Sequence, residues 1–240
     1  MWFGRWQNIQ NVCRTKTDKE ADGFPRGLCA AGWKPSALVF PSNLVYNFTV
    51  MKEYVVFDLE WNQNPYGKEL PGAHLTFEII EIGAVKLNEN MEVISTFSQL
   101  VRPQVYRELH YKISQVTHMT MDELMEKGRP FQEVMADFEE WCGEAAVYCT
   151  WGPMDLTELE KNLAYFGMEN PFPNPLLYYD IQKLYGLFRK DGKEKSALDT
   201  AVRELGIPEE RPFHQAFDDA CYTAEVMKCL DWEKAEPYIS

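Results

Sequence analysis

The sequence predicts an α/β domain on a mixed sheet, and three observations carry that reading. Strand-like runs at 54–60, 78–87 and 92–100 follow one another directly, an order that implies an antiparallel meander. Apolar residues at helical spacing dominate the rest of the chain. Among those helices, 145–150 reads as a buried strand. Strands first, then helices alternating with strand, form a layered α/β arrangement.

Each element has its own signal. Val55-Val56-Phe57-Asp58-Leu59-Glu60 is apolar and rich in β-branched residues. A loop is expected over 62–74, where Asn64-Pro65 and Pro71-Gly72 punctuate the chain. The second strand is 78–87, the turn 88–90 and the third strand 92–100. Thr120-Met121-Asp122-Glu123 is a capping box that opens a helix. Pro130 opens another, with Phe131, Val134, Met135, Phe138 and Trp141 on one face. After the strand at 145–150, a helix begins near Asp155 and turns Leu156, Leu159, Leu163 and Phe166 inward. The next spans about 196–205 and stops at Gly206. The last, about 215–230, places Ala216, Ala220, Ala224, Met227 and Leu230 inward. Asp180 reads as a helix cap.

The 240 residues are 45% apolar and 25% charged, which excludes disordered and collagen-like chains. No apolar stretch approaches the roughly 18 residues of a membrane span. Residues 1–10 lack the apolar region of a secretory signal. Cys13, Cys29, Cys142, Cys149, Cys221 and Cys229 form no CxxC pair and no zinc-ligand spacing, so reduced thiols in a cytoplasmic protein are expected. The net charge is −13. That balance argues against a broad basic surface gripping nucleic acid, but suits carboxylates that hold cations.

Charge and texture change together near Met51. Residues 1–50 carry a formal charge of +3 and residues 51–240 carry −16. The first fifty are punctuated by glycine and proline and read as an irregular extension, with a short apolar run at 37–40. The folded domain is expected over 51–232, with Met51 as a candidate true start and 233–240 as a tail.

Three sites carry unexpected charge. With side chains alternating along a strand, Phe57 and Leu59 point one way and Asp58 and Glu60 the other. Adjacent carboxylates at the end of an apolar strand repel one another and resist desolvation; a hard divalent cation between them resolves both problems. An exposed acidic strand end is the plainer reading. Asp155 stands where a helix starts, so it reads either as a cap or as a further ligand. His214 and Asp219 lie five residues apart, about 140° around an ideal helix. Either His214 belongs to the loop before that helix, or the two do not share a site.

Taken in order, these residues resemble a known family. Phe57-Asp58-Leu59-Glu60-Trp61, the Asp155 region and His214-Gln215-Ala216-Phe217-Asp218-Asp219 are similar to the three exonuclease motifs of the DEDD superfamily. The His-x-Ala-x-x-Asp form of the third resembles the DEDDh branch, and the likeness covers about 53–230. Within that branch it resembles the ERI-like 3′–5′ exoribonucleases and the KapD-type bacterial sporulation-inhibitor proteins. One departure is Thr117-His118-Met119-Thr120, where many relatives carry a Thr-Gly-Ile-Thr-like turn, so that loop is expected to differ.

The resemblance implies an RNase H-like five-stranded mixed sheet flanked by helices, and a metal-dependent 3′–5′ exonuclease. It implies two divalent ions, Mg²⁺ or Mn²⁺, held by Asp58, Glu60, Asp155 and Asp219, with His214 as general base and a nucleoside 5′-monophosphate as product. Leu59, Trp61 and Lys195 are the expected substrate contacts. Trp61 has two readings, a stacking platform for the terminal base and ordinary core packing. The basic run Lys183, Arg189, Lys190, Lys193 and Lys195 either tracks a phosphate backbone or is a solvated face. Glu78 and Glu81 are not assigned as ligands; Glu81, on the neighbouring strand, is a candidate for the shell behind them. The expected partner is single-stranded nucleic acid, RNA ahead of DNA, with no membrane and no identified protein partner. The competing functions are a proofreading or repair DNA exonuclease and a non-catalytic binding regulator on the same fold.

Overall fold

A computed structural model describes residues 53–65, 75–143, 146–172, 176, 178–189 and 195–232. The expectations for residues 1–50, the change at Met51, the tail 233–240, Lys190 and Lys193 lie outside these. Five strands form one sheet in the order β3-β2-β1-β4-β5. They are β1 (Glu53–Gln63), β2 (Phe77–Leu87), β3 (Val93–Leu100), β4 (Ala146–Thr150) and β5 (Tyr178–Asp180). β1, β2 and β3 pair antiparallel as the expected meander, while β4 runs parallel to β1 and β5 parallel to β4. The mixed five-stranded sheet flanked by helices is therefore present.

Seven helices are described: α1 (Tyr111–Thr117), α2 (Met121–Lys127), α3 (Phe131–Cys142), α4 (Met154–Tyr165), α5 (Ile181–Arg189), α6 (Leu198–Leu205) and α7 (Ala216–Lys228). None is long and apolar enough to cross a membrane. Thr120 caps α2 by accepting from Glu123 N at 3.2 Å, and Asp180 caps α5 by accepting from Lys183 N at 2.9 Å.

The structure departs from the sequence reading in three places. β1 continues through Asn62 and Gln63, assigned above to a loop, because both pair with β2 opposite Glu78 and Phe77. β5 is only three residues long and has no periodicity to read. α1 is a seven-residue helix held by a local device: the His110 side chain accepts from Lys112 N. At its far end His118 adopts φ 59°, ψ 10°, the left-handed conformation that glycine takes most easily. The turn thus keeps a glycine-type backbone although its residue differs.

The period-two pattern of β1 is realised on two buried faces. Val55, Phe57 and Leu59 pack with α3 and α4 residues including Phe138, Met135 and Leu159. Tyr54 and Val56 pack on the other face with α5, α6 and α7 residues including Tyr185, Val202 and Met227. Each such side chain, fully buried, contributes about 1.5–3 kcal/mol. Asp58 and Glu60 continue the second row, on the α7 side, where the apolar layer ends.

Candidate active site

The site forms where β1 outruns its parallel neighbour. β4 follows β1 only as far as Cys149 opposite Val56, so the Leu59 N–H has no strand to donate to. Asp155 takes it, its Oδ1 accepting from Leu59 N at 3.2 Å. Asp155 is the second residue of α4 and is 4% exposed. It is not the helix cap: Pro153 stands there, without a side-chain hydrogen bond. The cap reading is therefore not realised, and the carboxylate instead points to the end of β1.

On the other edge, β1 and β2 change register between Glu60 and Trp61. Glu60 lies opposite Glu81 and Trp61 opposite Ile79, leaving Ile80 as the extra residue of a bulge. Ile80 is fully buried against Met119 and Leu124. The bulge lets β2 bury Ile80 there while Glu81 faces Glu60.

α7 supplies the remaining groups. His214 precedes the helix and has φ 66°, so the loop alternative is the one realised. Its backbone N–H donates to Asp219 Oδ2 at 3.1 Å. Donor atoms of Glu60, His214 and Asp219 all lie within 4.8 Å of one another. The helix comes this close because β2 has Gly83 opposite Asp58. A Cβ on Gly83 would land on the backbone of Ala216 and Phe217. In the sequence the small Ala216 and Ala220 read as inward-facing, without naming what they pack against. A glycine inside a strand was the available signal.

Electrostatics follow from this crowding. Asp58 is raised well above the ordinary carboxylate range, first by burial and then by the charges of Asp155, Asp219, Glu60 and Glu81. Burial, then Asp219, Glu81 and Asp155, push Glu60 to about 8. Burial lifts Asp155 to about 7 against the opposing Leu59 N–H. It lifts Asp219 to about 6 against the His214 N–H. Four acids that raise one another's affinity for protons are also four acids that would welcome a cation. A further observation agrees: Asp219 Oδ1 is buried and has no hydrogen-bond partner. An all-carboxylate set with one adjacent imidazole fits a hard divalent ion.

The other sequence candidates divide. Glu78 is buried but occupied, accepting from the backbone N–H groups of Gln104, Val105 and Tyr106; it shapes that loop and lies outside the cluster. Glu81 Oε2 accepts from Ala216 N at 3.0 Å. Asp218 pairs with Arg211 at 2.9 Å. Leu59 buries its side chain in the core at 3% exposure and gives its N–H to Asp155. Trp61 is half-buried, its ring 5.8 Å from that of Phe77. Lys195 is exposed. The adjacent Ser196 carbonyl accepts from Trp151 Nε1 at 3.1 Å and Gln182 Nε2 at 2.9 Å. These bonds hold the residue that follows Lys195 against Trp151, just after β4, and Gln182 of α5.

Fold and site together define a nuclease-type centre: clustered carboxylates and a histidine at the end of a mixed sheet. The Exonuclease (RNase T) family model matches residues 55–227. The chain belongs to this family and, with His214 in its third motif, is a 3′–5′ exonuclease of the DEDDh type. It is 28% identical over 181 residues to the Probable 3′-5′ exonuclease KapD of Bacillus subtilis, covering 75% of this chain and 85% of that one. It is 28% identical over 163 residues to 3′-5′ exoribonuclease 1 of Rattus norvegicus, covering 64% of this chain but only 47% of that protein. The nuclease domain of 3′hExo bound to rAMP superposes with a TM-score of 0.63 at 22% identity, covering 75% of this chain and 92% of that one. Escherichia coli exonuclease I in complex with a dT13 oligonucleotide gives 0.59 at 15% identity, covering 74% and 40%. At those identities the two structures establish the fold.

Proposed function

We propose that the protein is a divalent-metal-dependent exonuclease that trims RNA or short single strands from the 3′ end and releases nucleoside 5′-monophosphates. The observation that carries this reading is the grouping of Glu60, His214 and Asp219 within 4.8 Å, beside Asp58 and Asp155. Bound Mg²⁺ or Mn²⁺, in a pair, would neutralise charge on the scissile phosphate and acidify water.

The chain's own residues supply the rest. Asp58, Glu60, Asp155 and Asp219 would hold the cations, with the unpartnered Asp219 Oδ1 open to one of them. His214 is exposed, so its imidazole can take a proton from the attacking water and pass it to solvent. Trp61 would border the terminal base and Lys195 the backbone phosphates. The names of KapD and exoribonuclease 1 support the 3′–5′ direction, and the second of them supports RNA. The setting proposed is cytoplasmic, in keeping with six cysteines that form no CxxC pair and no zinc-ligand spacing.

The test uses the full chain, stripped of metal, with 5′-labelled RNA and DNA oligonucleotides and with or without Mn²⁺ or Mg²⁺. A ladder shortening from the 3′ end only with metal is expected, faster on RNA. Faster trimming of DNA would assign the repair-type substrate. No shortening of either polymer by a folded protein that binds Mn²⁺ would leave a non-catalytic regulator.

A further inference from the structure

We propose that Glu81 is a positioning residue, a clamp that holds the turn carrying His214 and Asp219 against β1. The inference rests on the exonuclease reading above.

The turn needs holding. His214 has φ 66°, a region that non-glycine residues enter at a cost, histidine less than most. Such outliers persist only when their surroundings over-determine them. Gln215 is the residue at the N-terminal boundary of α7 but makes no side-chain capping bond. The first amide of the helix, Ala216 N, has no partner within the helix. Glu81 provides one from another strand, 135 residues away in sequence, at 3.0 Å and 7% exposure. Two residues earlier, Asp219 takes His214 N at 3.1 Å. Two carboxylates therefore grip the backbone on either side of the left-handed residue.

The position of Glu81 makes the clamp directional. It lies opposite Glu60 across the β1–β2 ladder and two residues before Gly83, on whose bare Cα the backbone of Ala216 and Phe217 rests. Gly83 permits the close approach, and the Glu81 bond fixes where along β2 it occurs. A carboxylate beside Glu60 and Asp219 adds repulsion to the site. The bond to Ala216 N gives that carboxylate a structural use despite the repulsion.

The experiment compares Glu81→Gln with Glu81→Ala in the full chain. Glutamine keeps an oxygen for Ala216 N and removes the charge; alanine removes both. We expect Glu81→Gln to keep kcat within about threefold of the parent. Glu81→Ala should lose about 10- to 100-fold in kcat, as expected for small displacement of a catalytic group, with little change in KM. Hydrogen exchange, read without metal or substrate, should quicken at the amides of 214–219 in Glu81→Ala only. If Glu81→Gln is as impaired as Glu81→Ala, the charge itself is needed and the clamp is overturned in favour of a ligand role. Parent-like kcat and exchange in Glu81→Ala would overturn it in favour of a bystander. If Glu81→Ala does not fold, Glu81→Leu, which fills the same space but offers Ala216 N no acceptor, replaces it in both readouts with the same expected losses. An inactive parent protein would refute the exonuclease reading, while the exchange comparison would still judge the clamp.

Discussion

Asp219 accepts a hydrogen bond from the backbone N–H of His214 at 3.1 Å, so the two residues of the third motif are locked to one another before any substrate arrives. One oxygen of Asp219 orients the histidine turn, and the other, buried and without a partner, is left for a cation. This division explains how residues five apart, which cannot face the same way from within a helix, come to share a site.

The first prediction concerns the imidazole. His214→Asn keeps a side chain that tolerates the left-handed region and removes the base. Hydrolysis should fall by about 10²- to 10⁴-fold, while stability stays within about 0.5 kcal/mol, as for an exposed position. Steady-state trimming of a labelled oligonucleotide and thermal unfolding measure the two. More than a tenth of the parent rate would remove His214 from the base role.

A second prediction follows from the acids. Glu60 at about 8, Asp155 at about 7 and Asp219 at about 6 all lie above their unfolded values near 4. The native state therefore binds more protons than the unfolded state between those limits, so stability falls as pH rises. Tm of metal-free protein should decline from pH 5 to pH 8. Added Mg²⁺ or Mn²⁺ should raise it, and more at pH 8 than at pH 5. A metal-free Tm that climbs through this window would contradict the assigned crowding.

Relieving the crowding should separate stability from function. Asp58→Asn removes the group on which four neighbouring charges bear. Metal-free Tm at pH 8 should rise, at about 2–4 °C per kcal/mol gained for a chain of this size, while metal-dependent trimming is lost. A lower Tm would show that Asp58 stabilises the native state without metal.

The fourth prediction tests the close approach of α7. In Gly83→Ala the new methyl meets backbone, of Ala216 and Phe217, and backbone yields little. Overpacking of this kind costs about 1–3 kcal/mol and should displace His214 and Asp219, lowering kcat with the fold retained. Denaturant unfolding and kinetics on the same preparation check both parts. Unchanged values would mean that α7 is not seated on β2 as described.

Much of the site was legible in the chain. The alternation along 54–60 put Asp58 and Glu60 on one side, and the motif order singled out Asp155, His214 and Asp219. The first reading depends on a local period, which neighbouring residues determine; the second rests on the likeness of three ordered motifs to a known family. Tertiary structure decided what Asp155 does: it accepts from Leu59 N, 96 residues away, instead of capping its own helix. It likewise placed His214 in the loop, made Gly83 the seat of α7 and gave Glu81 the first amide of that helix. β5 lay beyond sequence reading because three residues are too few to show a period. Helical and strand patterns are local properties of a chain. Which carboxylate meets which N–H depends on where the helices come to rest on the sheet, and packing across the whole domain sets that.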